Sequence, residues 1–152
     1  MSEKLNVIFV CSGNSCRSQM AEGWARHLHA DKFRPFSAGI KPRPRVDPLA
    51  VAVMKEAGVD IAGQETHAVE EFLVQSIDFA ITVCDDAAES CPTFPAGVSM
   101  IHHPFDDPPR LAAGKNEPDG LAVYRRVRDE IRAYVIALPV VLANTKQPEE
   151  RS

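Results

Sequence analysis

The chain has no excess of positive charge: 17 lysines and arginines stand against 21 aspartates and glutamates, a formal net charge of -4. The clustered basic footprint of a nucleic-acid binder is therefore not expected. Long hydrophobic runs are missing too, and nothing approaches the roughly 20 apolar residues that span a bilayer. The apolar stretch near Met1 is too short for a secretory signal, and no small-residue cleavage site follows it. Internal repeats, low-complexity segments and dividing linkers are also absent; the proline-rich KPRPR stretch reads as a loop. A cytoplasmic, monomeric, single-domain protein is expected. Cysteines number only 4, and in a reducing compartment they are not expected to form static disulfides. Their spacing is therefore read for catalysis, redox chemistry or metal binding.

What is present is an alternation of short apolar strands and amphipathic helices. Leu5 to Val10 is a β-branched and aromatic run that ends in the turn composition Cys11-Ser12-Gly13-Asn14. After Ser18, read as an N-cap, Met20, Ala21, Trp24 and Leu28 recur at helical spacing. Phe33 to Ala38 reads as a second strand closed by Gly39. The KPRPR loop then leads to Asp47-Pro48, a cap with proline at the first helical position. That helix carries Ala50, Val53, Met54 and Ala57 on one face and stops at Gly58. Thr66 to Gln75 predicts a further short helix, and Ile77 to Cys84 and Val98 to Ile101 two more strands. Tyr124, Val127, Ile131, Val135 and Leu138 define an amphipathic helix from Asp119. On its solvated face Arg125 is spaced to pair with Asp129.

The pattern predicts an α/β domain over residues 1–140, a three-layer sandwich around a mainly parallel sheet of about four strands. A polar, frayed tail is expected over 141–152. In such a sheet ligands bind beyond the carboxyl ends of the strands, where Cys11 and Cys84 both fall.

The segment Cys11-Ser12-Gly13-Asn14-Ser15-Cys16-Arg17-Ser18 sets a cysteine and an arginine around a glycine-containing turn that opens into a helix. Backbone N–H groups in such a turn, with the helix dipole behind them, converge on a tetrahedral anion. Gly13 permits close approach, and Arg17 offers a bidentate fork to two anion oxygens. Cys11 is expected to be held as a nucleophilic thiolate. Asn14 and Ser15 are expected to brace the loop through side-chain hydrogen bonds, and Ser18 to hydrogen-bond Cys11. Cys16 belongs to the cradle, with its thiol non-essential. The same spacing also occurs by chance, with Cys11 a small buried hydrophobe and Arg17 a surface charge. The strand before, the Gly-Asn turn within and the helix after favour the anion loop.

From VIFVCSGNSCRSQMAEGW through FSAG and the Cys84 to Cys91 segment to HHPFDDPP and YRRVRDEIR, the chain closely resembles the low-molecular-weight protein tyrosine phosphatase superfamily. Within it, the resemblance is strongest to the thioredoxin-coupled arsenate reductase branch. It implies a phosphatase-type anion loop after the first strand, Cys11 as nucleophile, Arg17 as oxyanion clamp and Asp107 as acid. It further implies a relay in which Cys84 attacks the Cys11 adduct through a transient Cys11–Cys84 disulfide, and Cys91 then closes a Cys84–Cys91 disulfide that thioredoxin reduces. The segment between Cys84 and Cys91 should accordingly be mobile and unfold in part on oxidation.

Two departures from the family pattern matter. Phosphatases of the superfamily usually follow the Asp-Pro of the acid loop with an aromatic residue, whereas Pro109 follows Asp107-Pro108 here, which argues against phosphotyrosine. Some reductases of the branch also hold a potassium ion, and Asn14, Glu22 and Ser37 match positions that would serve it. The Gln64 to Thr66 region departs from that pattern, and no organic cofactor is implied.

Three readings remain on the residues: an arsenate reductase, a tyrosine phosphatase with incidental cysteines, and a non-catalytic oxyanion-binding module. A zinc site from Cys84, Cys91, His102 and His103 carries little weight, because the cysteines are spaced more widely than paired ligands and the histidines are adjacent.

Overall fold

In the computed structural model, which describes residues 4–145 apart from the side chains of Asp86 and Ala88, Leu5–Cys11 (β1) is the axis of the sheet. Val7 to Val10 are fully buried, the near-continuous apolar run of a strand covered on both faces. β1 pairs in parallel with Phe33–Gly39 (β2) on one side and Phe79–Thr82 (β3) on the other. Ser99–His102 (β4) adds in parallel beyond β3, so the strand order is β2-β1-β3-β4. The chain leaves β1 toward β2 and then returns past it to β3. The crevice between the ends of β1 and β3 is thus the topological switch point, where ligands bind in sheets of this kind.

Among the described residues five helices flank this sheet: Arg17–His29 (α1), Pro48–Glu56 (α2), Asp85–Ser90 (α3), Pro108–Ala112 (α4) and Glu117–Ala143 (α5). α1 packs on β1, β2 and α5; α2 and α4 also pack on α5, while α3 lies against β1 and β3. Ile8, Phe9, Met20, Met54, Ile131 and Leu138 are fully buried between the layers. Truncating any one of these to alanine would cost about 2–5 kcal/mol. None of the described helices is long and apolar enough to cross a membrane.

Two polar bonds lock the helical layer. Pro139 inside α5 has no N–H to give to the Val135 carbonyl one turn back. The His29 ring at the end of α1 donates to that oxygen at 2.8 Å. Asp47, as expected, caps α2 by accepting the Leu49 N–H at 2.9 Å. Its second oxygen accepts the Tyr124 hydroxyl at 2.6 Å, tying α2 to α5. Burial, and then the bond to Asp47, push the Tyr124 pKa far above its ordinary value.

Several element boundaries differ from those expected. Ser18 is not an N-cap: α1 begins at Arg17, Cys16 holds the cap position without a side-chain bond, and Ser18 is fully buried. Thr66 to Gln75 forms only a 3-10 turn, Val69–Phe72. The backbone before it is drawn to the sheet edge, where the Gly39 N–H reaches the His67 carbonyl at 2.9 Å and Ala68 bridges Gly39. β3 stops at Thr82, because Cys84 is the cap of α3, a helix in the stretch read as a loop. Likewise α4 occupies part of the loop after β4, and Asp107-Pro108 repeats the Asp47-Pro48 start signal.

α5 begins two residues before Asp119 because the Asn116 side chain accepts the Asp119 N–H at 2.9 Å. It runs to Ala143, with Leu142 buried, so the ordered chain passes the expected boundary at 140. Residues 146–152 of the expected tail lie outside those described. Arg125 does not pair with Asp129; it reaches Glu56 on α2 at 2.8 Å.

Replacing Tyr124 by phenylalanine removes one bond of the Asp47 clamp without opening a cavity. Urea unfolding of Tyr124→Phe is expected to show a loss of about 1–2 kcal/mol with an unchanged m-value.

Candidate active site

Cys11 closes β1 and is almost fully buried. Its sulfur accepts the Asn14 backbone N–H at 3.2 Å and lies 2.9 Å from the Ser18 hydroxyl oxygen. The Asn14 side-chain amide donates to that same hydroxyl oxygen at 2.8 Å, leaving the Ser18 proton to face the sulfur. Two donors are thus aimed at one sulfur.

Asn14 itself has a φ of 51°, in the left-handed region, which asparagine tolerates better than other residues with a Cβ. Its Oδ1 accepts the His67 N–H at 2.8 Å and its carbonyl accepts the Gln19 side chain at 2.9 Å. The other loop carbonyls are also spoken for. Those of Cys11, Ser12, Gly13 and Ser15 accept the N–H groups of Ile40, Lys41, Arg43 and Asp47 at 2.8–3.1 Å. With its oxygens tied outward to the 40–47 segment, the loop presents its N–H side to the centre. Among the described residues Ser15 makes this backbone bond and not the side-chain bond expected of it.

Arg17, the first residue of α1, donates to the Phe105 carbonyl at 2.9 Å, and its other terminal nitrogen lies 3.7 Å from Asp107. Asp107 holds the cap position of α4, yet its side chain makes no capping bond, so the carboxyl group stays available over the loop. Asp106, by contrast, is held by Arg126 at 3.0 Å. The two aspartates thus have different partners, and Asp107 is the one beside Arg17. Cys11, Ser12, Gly13, Ser15, Cys16, Arg17, Asp107 and Pro109 line a cavity of about 40 Å³ that Arg43 completes. That is a site for a small ion, well below the roughly 300 Å³ at which organic-ligand pockets begin.

All four cysteines are free thiols, in different settings. Cys84 is buried across the switch point from Cys11, two residues past β3, and its sulfur accepts the Ala87 N–H at 3.3 Å. Cys91 is half-buried at the other end of α3, and burial, then the Glu70 charge, push its thiol pKa up. Cys16 is buried beneath the loop; burial, followed by the charge of Asp47, keeps its thiol pKa well above the ordinary value. Its position suits a structural thiol.

The expected potassium residues do not converge as free oxygens. Glu22 accepts the Ser37 hydroxyl at 2.5 Å and the Arg26 guanidinium at 2.5 Å, and Arg26 also reaches Gln64 at 2.8 Å. Asn14 faces Ser18 and His67. A guanidinium already supplies the positive charge beside Glu22, so this donor set does not fit a potassium ion. Nor do the zinc candidates gather: His102 bonds Thr82 and Asp85, while His103 stacks on Tyr134 and Phe105. Among the described residues no group of three metal-ligating side chains is found.

Some residues that build the site escaped the sequence reading. A Cβ on Gly39 would lie 2.8 Å from the Asn14 nitrogen and 2.9 Å from the Ser12 oxygen, so only glycine fits beneath the cradle. Gln19, His67 and Arg43 act across 5, 53 and 30 positions, and no local pattern marks them. Gly39 alone had a signal, as a glycine at a strand end.

A thiol at a parallel-strand end, a loop of inward N–H groups, an arginine opening the helix behind and a carboxyl above define the phosphatase-type class of cysteine-loop oxyanion proteins. Within it, the chain belongs to the low molecular weight phosphotyrosine protein phosphatase family, whose sequence profile matches residues 6–147. An arsenate reductase of Halalkalibacterium halodurans is 45% identical over 131 residues, covering 86% of this chain and 91% of the relative. Among solved structures, an arsenate reductase in its reduced state superposes with a TM-score of 0.70 at 34% identity, covering 91% of this chain and 98% of the other. An arsenate reductase in a phosphate-binding state superposes at 0.67 and 34% identity, covering 88% and 95%.

Asn14→Ala removes two buried side-chain bonds and places a Cβ-bearing residue without anchors in left-handed backbone; a loss of about 3–5 kcal/mol is expected by thermal or urea unfolding. Asn14→Gly should lose less, since glycine accepts the conformation. For Cys91 the raised pKa fixes the sign of a pH effect: below that pKa each added pH unit multiplies the thiolate fraction about tenfold. Its alkylation by iodoacetamide is expected to keep climbing from pH 7 to 9, with no plateau.

Proposed function

We propose that this chain is a cytoplasmic, monomeric arsenate reductase that converts arsenate to arsenite through Cys11, Cys84 and Cys91 and is regenerated by thioredoxin. The observation that carries the reading is the pair of cysteines at the switch point, Cys11 ending β1 and Cys84 just past β3, with Cys91 one short helix away. A phosphatase needs only the first of these thiols; a reductase needs a supply of them. The reductase names of the relatives support the same reading, and the phosphate-binding state of one suits a cradle for tetrahedral anions.

The steps follow from the residues. The Cys11 thiolate attacks arsenic(V) of the monoprotonated arsenate, the arsenic–hydroxyl bond breaks and that hydroxyl leaves as water with one proton from Asp107, while Arg17 and the loop N–H groups hold the remaining oxygens. The Cys84 thiolate then attacks the Cys11 sulfur. The sulfur–arsenic bond breaks, its electron pair stays on arsenic, and arsenite departs as the Cys11–Cys84 disulfide forms. Cys91 next attacks Cys84 and releases Cys11 as thiolate.

The last exchange requires α3 to unwind. The seven residue steps from Cys84 to Cys91, at about 1.5 Å each along a helix, hold the two α-carbons about 10 Å apart, whereas a disulfide needs about 4.4–6.8 Å. The six-residue α3 is short enough to melt at little cost. The resulting Cys84–Cys91 disulfide would then be displayed on an opened segment, accessible to an external dithiol protein.

The test is arsenite production with thioredoxin, thioredoxin reductase and NADPH, comparing the wild type with Cys84→Ser and Cys91→Ser. Turnover in the wild type and its loss in both variants is expected. Hydrolysis of an aryl phosphate without arsenite production, unchanged in Cys84→Ser, would instead make the chain a phosphatase acting through a Cys11 phosphocysteine.

A further inference from the structure

The acid-and-arginine pair leaves the small cavity short of positive charge. Arg17 brings one positive charge, part of it shared with Asp107 at 3.7 Å, and the attacking Cys11 thiolate of the proposed reaction would offset it. A dianionic arsenate or phosphate would then enter a cavity whose lining side chains, without another cation, carry no surplus positive charge. Among the described residues the remaining charged side chain lining this cavity is Arg43.

Arg43 is placed there by the loop itself. Its backbone N–H binds the Gly13 carbonyl at 2.8 Å, and its side chain lies over Gly13 so closely that a Cβ there would meet Nε at 3.0 Å. Gly13 thus makes room for a guanidinium at the rim. Among the described residues Arg43 has no carboxylate partner, unlike Arg26, Arg125, Arg126 and Arg128, which all do. Its neighbours in the KPRPR loop face elsewhere: Lys41 lines a cavity of about 410 Å³ toward Ser90, and Arg45 one of about 300 Å³ toward Pro48. Arg43 lines all three.

We infer that Arg43 is the second guanidinium of the oxyanion site, a specificity-determining residue that draws dianionic tetrahedral oxyanions into the Cys11 cavity and holds them opposite Arg17. The inference rests on the cavity being the oxyanion seat of the proposed reductase. In a water-poor cavity a charge-assisted bond from a planar fork is strong and directional, and an unpaired cation at the mouth raises the encounter rate of anions. Because Arg43 touches the anion and none of the sulfur exchanges, it acts on capture and leaves the relay steps alone.

The experiment compares wild type, Arg43→Gln, Arg43→Lys and, as a remote control on an exposed turn of α2, Lys55→Gln. Arg43→Gln keeps the backbone bond to Gly13. It is expected to raise KM for arsenate about tenfold or more while kcat stays within twofold, and to flatten the dependence of kcat/KM on salt. Arg43→Lys should restore the salt dependence but only part of the affinity, since an ammonium lacks the fork. In parallel, inorganic phosphate is titrated against alkylation of Cys11 by iodoacetamide, a readout that needs no turnover. Arg43→Gln is expected to need about tenfold more phosphate for the same protection.

Unchanged KM and unchanged phosphate protection in Arg43→Gln would overturn the inference, as would a fall confined to kcat. If the wild type makes no arsenite but phosphate still protects Cys11 in an Arg43-dependent way, the reductase reading fails and the role of Arg43 stands.

Discussion

The left-handed turn at Asn14 is the constraint on which the site depends. Its φ of 51° folds the loop back so that its own N–H meets the Cys11 sulfur, and its amide positions the Ser18 hydroxyl against the same atom. The conformation is unfavourable for a residue with a Cβ, and it survives because three parts of the chain hold it. The Ser18 and Gln19 bonds come from α1, the His67 bond comes from the strap before the 3-10 turn, and Gly39 clears the space beneath. Strain stored at a functional loop is thereby offset by contacts made elsewhere in the fold.

The same logic explains how charge is distributed around the anion seat. Two Asp-Pro steps begin helices in this chain, and they are used differently. Asp47 spends both oxygens on structure, one on the start of α2 and one on Tyr124. Asp107 occupies the equivalent position before α4 and caps nothing, which leaves its carboxyl group over the cradle near Arg17. Asp106 is held by α5 through Arg126, fixing the loop from which Asp107 projects. The helix start supplies the geometry, and the missing cap bond frees the carboxyl group for chemistry.

The three thiols assigned to the relay are graded by their surroundings. Cys11 sits on a rigid loop, Cys84 at the first turn of a six-residue helix and Cys91 at its last. A longer α3 would hold Cys84 and Cys91 apart at greater cost, and an unstructured segment would expose Cys84 before substrate arrived. In the proposed relay a short helix keeps Cys84 buried until it is drawn toward Cys11, and then gives way. Burial raises the Cys91 pKa and quiets that thiol while the helix is intact.

How much of this could be read from the residues in order follows from the range of the interactions involved. Local signals settled the strand feeding Cys11, the helix after it, the Asp47-Pro48 start and the apolar face of α5, because each rests on neighbours within a few positions. The loop segment itself, with Arg17 at fixed spacing from Cys11, was legible for the same reason. Ser18 was misread as a cap because its hydroxyl is spent on the Cys11 sulfur and the Asn14 amide, bonds that exist only once the loop has closed. The helix expected over Thr66 to Gln75 gave way to a strap because Gly39 claims the His67 carbonyl. The separate partners of Asp106 and Asp107, the seat of Arg43 over Gly13 and the pairing of β1 with β3 that sets Cys11 and Cys84 at neighbouring strand ends were decided by tertiary structure. Each depends on a partner some twenty or more positions away, and only the folded sheet and its covering helices bring those partners together.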